Sequence, residues 1–257
     1  MGEHGTWFDY LNRFSWWSKF DHWAQNLLGR KSGLKMFATG WTLTHVLITL
    51  VVVAFVTWGA LAFFKGTKSA DKGIVPPRTM NLRNMFETMA ESIYGLVEGA
   101  MGEKAAPRFF PLIGALFMFI LFNNLFALIP GFGAPTDTLK TNVGIALAVF
   151  FLTHIYGVKE HGLAYFKHFL GPSPALIPLM LPIEIISHIA RPLSLAIRLM
   201  GNMMADHKVV MSFFALVPVL VPLPFLLLGL LVCGIQALVF CTLAMVYIGM
   251  AIEHEEH

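Results

Sequence analysis

Residues 184–205 read EIISHIARPLSLAIRLMGNMMA, and the reading of this run decides the architecture. Ile, Leu, Met and Ala fill most of it, yet it also holds Glu184, Arg191 and Arg198. A helix turns about 100° per residue. With Arg198 set at zero, Arg191 and Ser187 fall within about 20° of it, and Glu184, Ser194 and Asn202 at about 40°. One polar stripe therefore runs along an otherwise apolar helix. Pro192 sits inside the run and is expected to bend it or to weaken one backbone bond.

The surroundings make the stripe unusual. From His168 to Ile252, 85 residues, the only Asp, Glu, Lys or Arg are Glu184, Arg191, Arg198, Asp206 and Lys208. The whole chain of 257 residues is 56% hydrophobic and only 13% charged, against about 25% charged in a soluble domain. A soluble globule of this size cannot hide that much apolar surface, and a disordered or fibrous chain is excluded for the same reason. The chain reads as an all-α integral membrane protein. Its net charge of +3 is too small to argue for nucleic-acid binding. Cys233 and Cys241 lie eight apart in one apolar run. On a helix that is about 12 Å, too far for a disulfide, so both read as small packing residues.

Outward from the stripe, the apolar runs give five crossings. The spans are 36–64, 109–132, 142–158, 175–214 and 217–252. The last two are long and are separated by Pro218, Pro222 and Pro224, which suits a tilted helical hairpin. Residues 82–104 differ: Leu82, Met85, Phe86, Met89, Ile93, Leu96, Val97 and Met101 recur at helical spacing, with Arg83, Glu87, Glu91 and Glu98 largely between them. This is an amphipathic helix suited to a membrane surface. Residues 1–35 mix Trp7, Tyr10, Trp16, Trp17 and Trp23 with Arg13, Lys19 and Arg30, a composition suited to an interfacial segment in the headgroup layer, the alternative being a loosely ordered tail. The first apolar run is too long for a signal-peptide core, so no cleavable leader is expected. The leader and the loop after the first span carry five Lys or Arg each, so they do not set orientation. Residues 133–141 carry only Lys140, whereas 159–174 carry Lys159 and Lys167. That difference favours an outside N-terminus and a cytoplasmic C-terminus.

A charge at membrane depth costs at least about 2.5–3.5 kcal/mol and marks function by default. Arginine is informative because its guanidinium stays protonated even when desolvated, whereas a buried lysine can lose its proton. Arg198 so placed offers a permanent positive charge to a passing anion. The alternative from spacing alone is that Glu184, Arg191 and Arg198 neutralise one another and hold helices together.

Residues 191–205, RPLSLAIRLMGNMMA, resemble the motif of subunit a of the F-type ATP synthase, bacterial type. The resemblance extends over most of the chain. Residues 123–130, NNLFALIP, are similar to a second family segment, and Glu184 and Ser187 stand 14 and 11 residues before Arg198, as in the family. Gln236, Ala237, Phe240, Leu243, Tyr247 and Ile248 resemble its final helix, and the surface helix also has a counterpart. The resemblance implies a static subunit of a rotary proton motor that packs a tilted hairpin against a ring of c subunits. Two offset aqueous half-channels then pass protons to and from one carboxylate on each ring subunit. It implies that Arg198 faces that ring, favouring the ionised carboxylate beside it and blocking a direct proton leak. Asn202 and Gln236 become its polar neighbours on the two arms of the hairpin. Glu184 and Ser187 become members of one half-channel. Asn123 and Asn124 become lining groups, or equally interhelical hydrogen-bonding residues. Implied partners are the c-ring, the b subunits of the peripheral stalk, the F1 head indirectly, and membrane lipid. The implied location is the bacterial inner membrane.

The chain departs from the family at one place. Members often carry Glu or His nine residues after the key arginine, here His207, and a complementary His or Glu seven before the Gln, where this chain has Gly229. It also has Asp206 where a small residue is common. The expectation is that Asp206 supplies the carboxylate lost at 229, that Gly229 leaves room for it, and that His207 relays protons beside it. His45 and His154 read as packing or hydrogen-bonding residues. The terminal EHEEH at 253–257 lacks the HExxH zinc spacing and reads as a solvated tail. No Walker A loop, GxSxG or GxGxxG occurs, so no nucleotide site, cofactor or metal is expected and the chain is not catalytic by itself. The rival classes are a secondary transporter or channel using Arg198 as an anion site, and a metal-dependent membrane enzyme. The first lacks internal repeats and the second lacks a ligand cluster.

Overall fold

The computed structural model describes residues 19, 43–67, 81–129, 135–162, 165, 177–216 and 222–252. The leader except Lys19, the His45 side chain and the 253–257 tail lie outside the described residues. Among the described residues there are six α-helices and no strand: α1 (Leu43–Thr67), α2 (Leu82–Met101), α3 (Ala106–Ala127), α4 (Leu139–His161), α5 (Ile177–Leu216) and α6 (Pro222–Ile252). A short 3-10 turn, Pro135–Asp137, precedes α4. All except α2 are long and apolar enough to cross a membrane. The all-α membrane architecture expected from the sequence is thus present.

The bounds differ from expectation by a few residues, for local reasons. Helix α3 starts at Ala106 because Pro107 suits a first turn, and it ends at Ala127 rather than running on to 132. Helix α4 extends at both ends, to Leu139 and His161, because a helix does not stop where apolarity stops. Helix α6 is described from Pro222, whose missing N–H costs nothing in a first turn. Pro182 and Pro192 are both accommodated within α5, which continues for 40 residues. In the membrane, neighbouring groups re-satisfy the carbonyls that prolines free.

Helix α2 stops at Met101, short of the expected 104, because Gly102 takes φ +80° and its N–H bonds to the Glu98 carbonyl at 2.9 Å. Only glycine holds that backbone without strain. The chain then turns back, so α2 lies antiparallel to α3. Tyr94 packs edge-on to Phe110 with ring centroids 5.4 Å apart, and Phe86 stacks on Phe122 at 5.7 Å. From α1, Phe55 meets Phe122 at 5.2 Å and Phe126 at 5.7 Å. Phe86, Ile93 and Val97 are buried, so the apolar face of α2 is turned onto the bundle while Thr88, Glu91 and Ser92 face out. At the other end of α3, Arg108 bonds Glu160 of α4 at 3.0 Å and lies 5.3 Å from the Phe109 and Tyr156 rings.

Helix α6 is the central element, and small residues let it approach closely. Gly229, Cys233, Ala237, Cys241 and Ala244 are all buried. The Cys241 thiol lies 3.8 Å from the Ile113 carbonyl of α3, and both cysteines are free, as packing residues should be.

The α1–α2 contact gives a test. A Cβ added at Gly59 would overlap the Phe86 ring, whereas one at Gly95 meets nothing within 4 Å. Gly59→Val should destabilise by about 1–3 kcal/mol and lower the melting temperature in detergent. Gly95→Ala, on the exposed side of α2, should leave it unchanged or slightly raised.

Candidate functional site

Helices α5 and α6 form an antiparallel hairpin in constant register. Arg191 lies over the Tyr247 ring at 5.6 Å, Asn202 pairs with Gln236, and Phe213 stacks on Phe225 at 4.2 Å. The residue numbers of each pair add to the same total, so the register does not slip over more than 20 residues. On α5, Leu195, Ala196, Leu199 and Met203 are buried against the bundle. Ser194, Arg198 and Asn202 are exposed, on the other side of the helix. Leu193 and Ile197 beside them are exposed, as are Leu228, Leu231, Ile235 and Leu238 on α6. Arg198 thus projects from the bundle onto a broad apolar face, where a lone cation needs a partner or water.

The stripe does not neutralise itself. No ion pair joins Glu184 to Arg191 or Arg198 among the described residues. Glu184 Oε1 instead lies 3.2 Å from His188 Nδ1, and Arg191 is held by Tyr247. On the hairpin, Asn202 Nδ2 donates to Gln236 Oε1 at 2.6 Å, and Gln236 is buried. The two amides expected on opposite arms are therefore joined directly.

Two polar regions flank Arg198. On the N-terminal side of α5, a cavity of about 90 Å³ is lined by Glu184, His188, Arg191, His154, Tyr165 and Tyr247, with apolar residues between them. Ser187 is half-buried on the same stripe and is not among the lining residues. Tyr165 stands in the connector after α4, and burial pushes its phenol up, so it is a neutral hydroxyl. Gly157 makes this possible, because a Cβ there would crowd the Tyr165 ring. Sequence reasoning missed His188, Tyr165 and Tyr247 as site residues. His188 lies about 80° off the stripe, and only its position one turn after Glu184 gave a signal.

On the other side of Arg198 stand Asp206 and His207, both half-buried. Asp206 Oδ2 is buried without a hydrogen-bond partner among the described residues. It lies close enough to the Cys233 thiol to interact electrostatically. The room expected above Gly229 for Asp206 is instead filled by Leu128, whose Cδ2 would stand 2.8 Å from an added Cβ. The hairpin register explains this, since it sets Asp206 nearly one turn further along α6. Asn123 and Asn124 are fully buried. Asn124 Oδ1 accepts from Thr136 at 2.8 Å, Asn142 donates to the Thr136 carbonyl at 2.7 Å, and Asn123 donates to the Phe119 carbonyl at 2.7 Å. Asn123 Oδ1, Asn124 Nδ2 and Asn142 Oδ1 find no protein partner among the described residues. No cluster of three or more metal-ligating side chains occurs among the described residues.

A family model described as ATP synthase A chain matches residues 43–249. ATP synthase subunit a 1 of Syntrophotalea carbinolica is 56% identical over 172 residues, covering 67% of this chain and 73% of that protein. ATP synthase subunit a of Geobacter sulfurreducens is 52% identical over 172 residues, 67% of this chain and 75% of the relative. The Bdellovibrio bacteriovorus subunit a is 43% identical over 207 residues, 80% and 90%.

The Asn202–Gln236 bond predicts a coupling. Gln236→Leu or Asn202→Leu alone should strand an amide and cost about 1–3 kcal/mol. The double variant should cost less than the two summed. Thermal unfolding in detergent of the four proteins measures the difference.

Proposed function

The chain belongs to the ATP synthase A chain family and is a proton-translocating membrane component of Fo; from that premise we propose that it is the static, non-catalytic half of a rotary motor, with two offset half-channels and Arg198 presented to the c-ring. It is a multi-pass protein of the bacterial inner membrane and works in complex with other ATP synthase subunits. The observation that carries the proposal is the position of Arg198. It stands on the exposed apolar side of α5, with a polar region to either side of it along the same helix. Glu184 precedes it by 14 residues and Asp206 follows it by eight, about 21 Å and 12 Å of helix rise.

Each part then has a physical task. The exposed face of α5 and α6 receives the c-ring. Arg198 favours the ionised form of the ring carboxylate that reaches it, so a proton is released there and cannot remain bound past that point. Its fixed charge also repels a proton crossing directly between the two sides. Asn202 and Gln236 hold the hairpin arms together at that level. The Glu184–Ser187 side is one half-channel, and Asp206 with His207 belongs to the other. The unpaired amide atoms of Asn123 and Asn124 call for water, and the approach of nearby Leu128 to Gly229 on α6 supports reading them with the Asp206 side. The ring carboxylate is reached in turn from each side. The peripheral-stalk b subunits hold this chain still, and the F1 head is engaged indirectly. With the N-terminus outside, α5 runs outward, so the Glu184 side opens to the cytoplasm and the C-terminus lies there too.

Arg198→Ala should reduce coupled ATP synthesis and ATP-driven proton pumping in inverted vesicles to background. Coupled synthesis at the parental rate in assembled complexes would overturn the role given to Arg198.

A further inference from the structure

We propose that His154 and His188 form a proton-carrying pair in the cavity beside Glu184, so that the half-channel on this side conducts through imidazole rings as well as through the carboxylate. The inference rests on the half-channel reading above and adds two residues to it. Glu184 and Arg191 are on α5 with His188, His154 comes from α4, Tyr247 from α6 and Tyr165 from the connector, so four parts of the chain converge on the cavity.

The hydrogen bonds fix the tautomers. His154 Nδ1 is 2.9 Å from the Phe150 carbonyl oxygen, and His188 Nδ1 is 3.0 Å from the Glu184 carbonyl oxygen. A carbonyl oxygen only accepts, so each Nδ1 carries the proton. In each neutral ring the lone pair is then on Nε2, the atom that takes up a further proton. The two ring centroids are 5.5 Å apart with planes at 75°. Rings at that separation can be bridged by one water, and the cavity has room for it. His188 Nδ1 also stands 3.2 Å from Glu184 Oε1.

A proton arriving at His188 Nε2 makes an imidazolium whose Nδ1–H stays on the Glu184 carbonyl, and the Nε2 proton then passes through cavity water to the Glu184 carboxylate. One proton enters the ring, one leaves it, and the ring ends neutral. The reverse sequence carries a proton from Glu184 to His154. The groups facing the pair favour this exchange in opposite senses. Glu184 stabilises the imidazolium, Arg191 opposes it, and the Tyr165 and Tyr247 side chains also line the cavity. Arg191 stacked on Tyr247 keeps its charge from closing a permanent ion pair with Glu184.

The test uses the intact synthase in inverted vesicles, with pumping normalised to assembled complex. His154→Ala and His188→Ala should each lower ATP-driven pumping by about tenfold or more. Added imidazole should restore a several-fold part of the loss, because each truncation leaves a ring-sized space. His188→Asn keeps a donor toward the Glu184 carbonyl but has no titratable nitrogen, so it should pump as poorly as the alanine variant. Parental pumping in both alanine variants would overturn the proposal. So would a loss that imidazole does not touch and that His188→Asn repairs, since that marks a packing role. Glu184→Gln separates the layers. If it blocks pumping while the histidine variants do not, only the histidine pair falls. If Glu184→Gln and both histidine variants pump normally, the half-channel reading of this side falls with it.

Discussion

The register of the α5–α6 hairpin governs the rest of the molecule. It is fixed by unlike contacts: an arginine over a tyrosine, an amide–amide bond and two stacked phenylalanines. Each is local, but together they allow no sliding. Sliding by one residue would rotate a helix by about 100° and turn Arg198 or Gln236 away from its surroundings. The amide bond has an added hold, because either partner alone would be an unsatisfied polar group away from water. The level of Arg198 against α6 and the offset of Asp206 from Gly229 both follow from this one alignment.

Much of this was legible in the sequence, and the reasons are physical. Long apolar runs in a chain with few charges have one stable environment, so the five spans were readable. The polar stripe was readable because helical periodicity puts Glu184, Ser187, Arg191, Arg198 and Asn202 on one side without tertiary information. The buried small residues of α6 were anticipated for the two cysteines, whose spacing excluded a bridge.

Apart from the Asn202–Gln236 pair, which the family resemblance implied, what the sequence did not carry was contact across elements. The cavity beside Glu184 draws on α4, α5, α6 and the connector, and no periodicity within one helix announces His154 against His188. The role of Gly229 was misread for a related reason. A glycine marks a place where something approaches, but not what approaches, and Leu128, just past the end of α3, lies far away in sequence. The antiparallel course of α2 along α3 depends on Gly102, whose positive φ is a backbone property invisible in an apolar pattern.

The outward face of the hairpin has a mechanical meaning. Apart from the row of Ser194, Arg198 and Asn202, it is made mainly of leucine and isoleucine side chains. Such side chains offer a moving neighbour dispersion contacts, each about 0.1–0.2 kcal/mol per atom pair and none of them directional. Contacts of that kind are exchanged for equivalent ones as a partner slides, so the energy along the path is shallow. Under the proposed motor role the face serves as a bearing, slippery nearly everywhere, with friction concentrated at one cation.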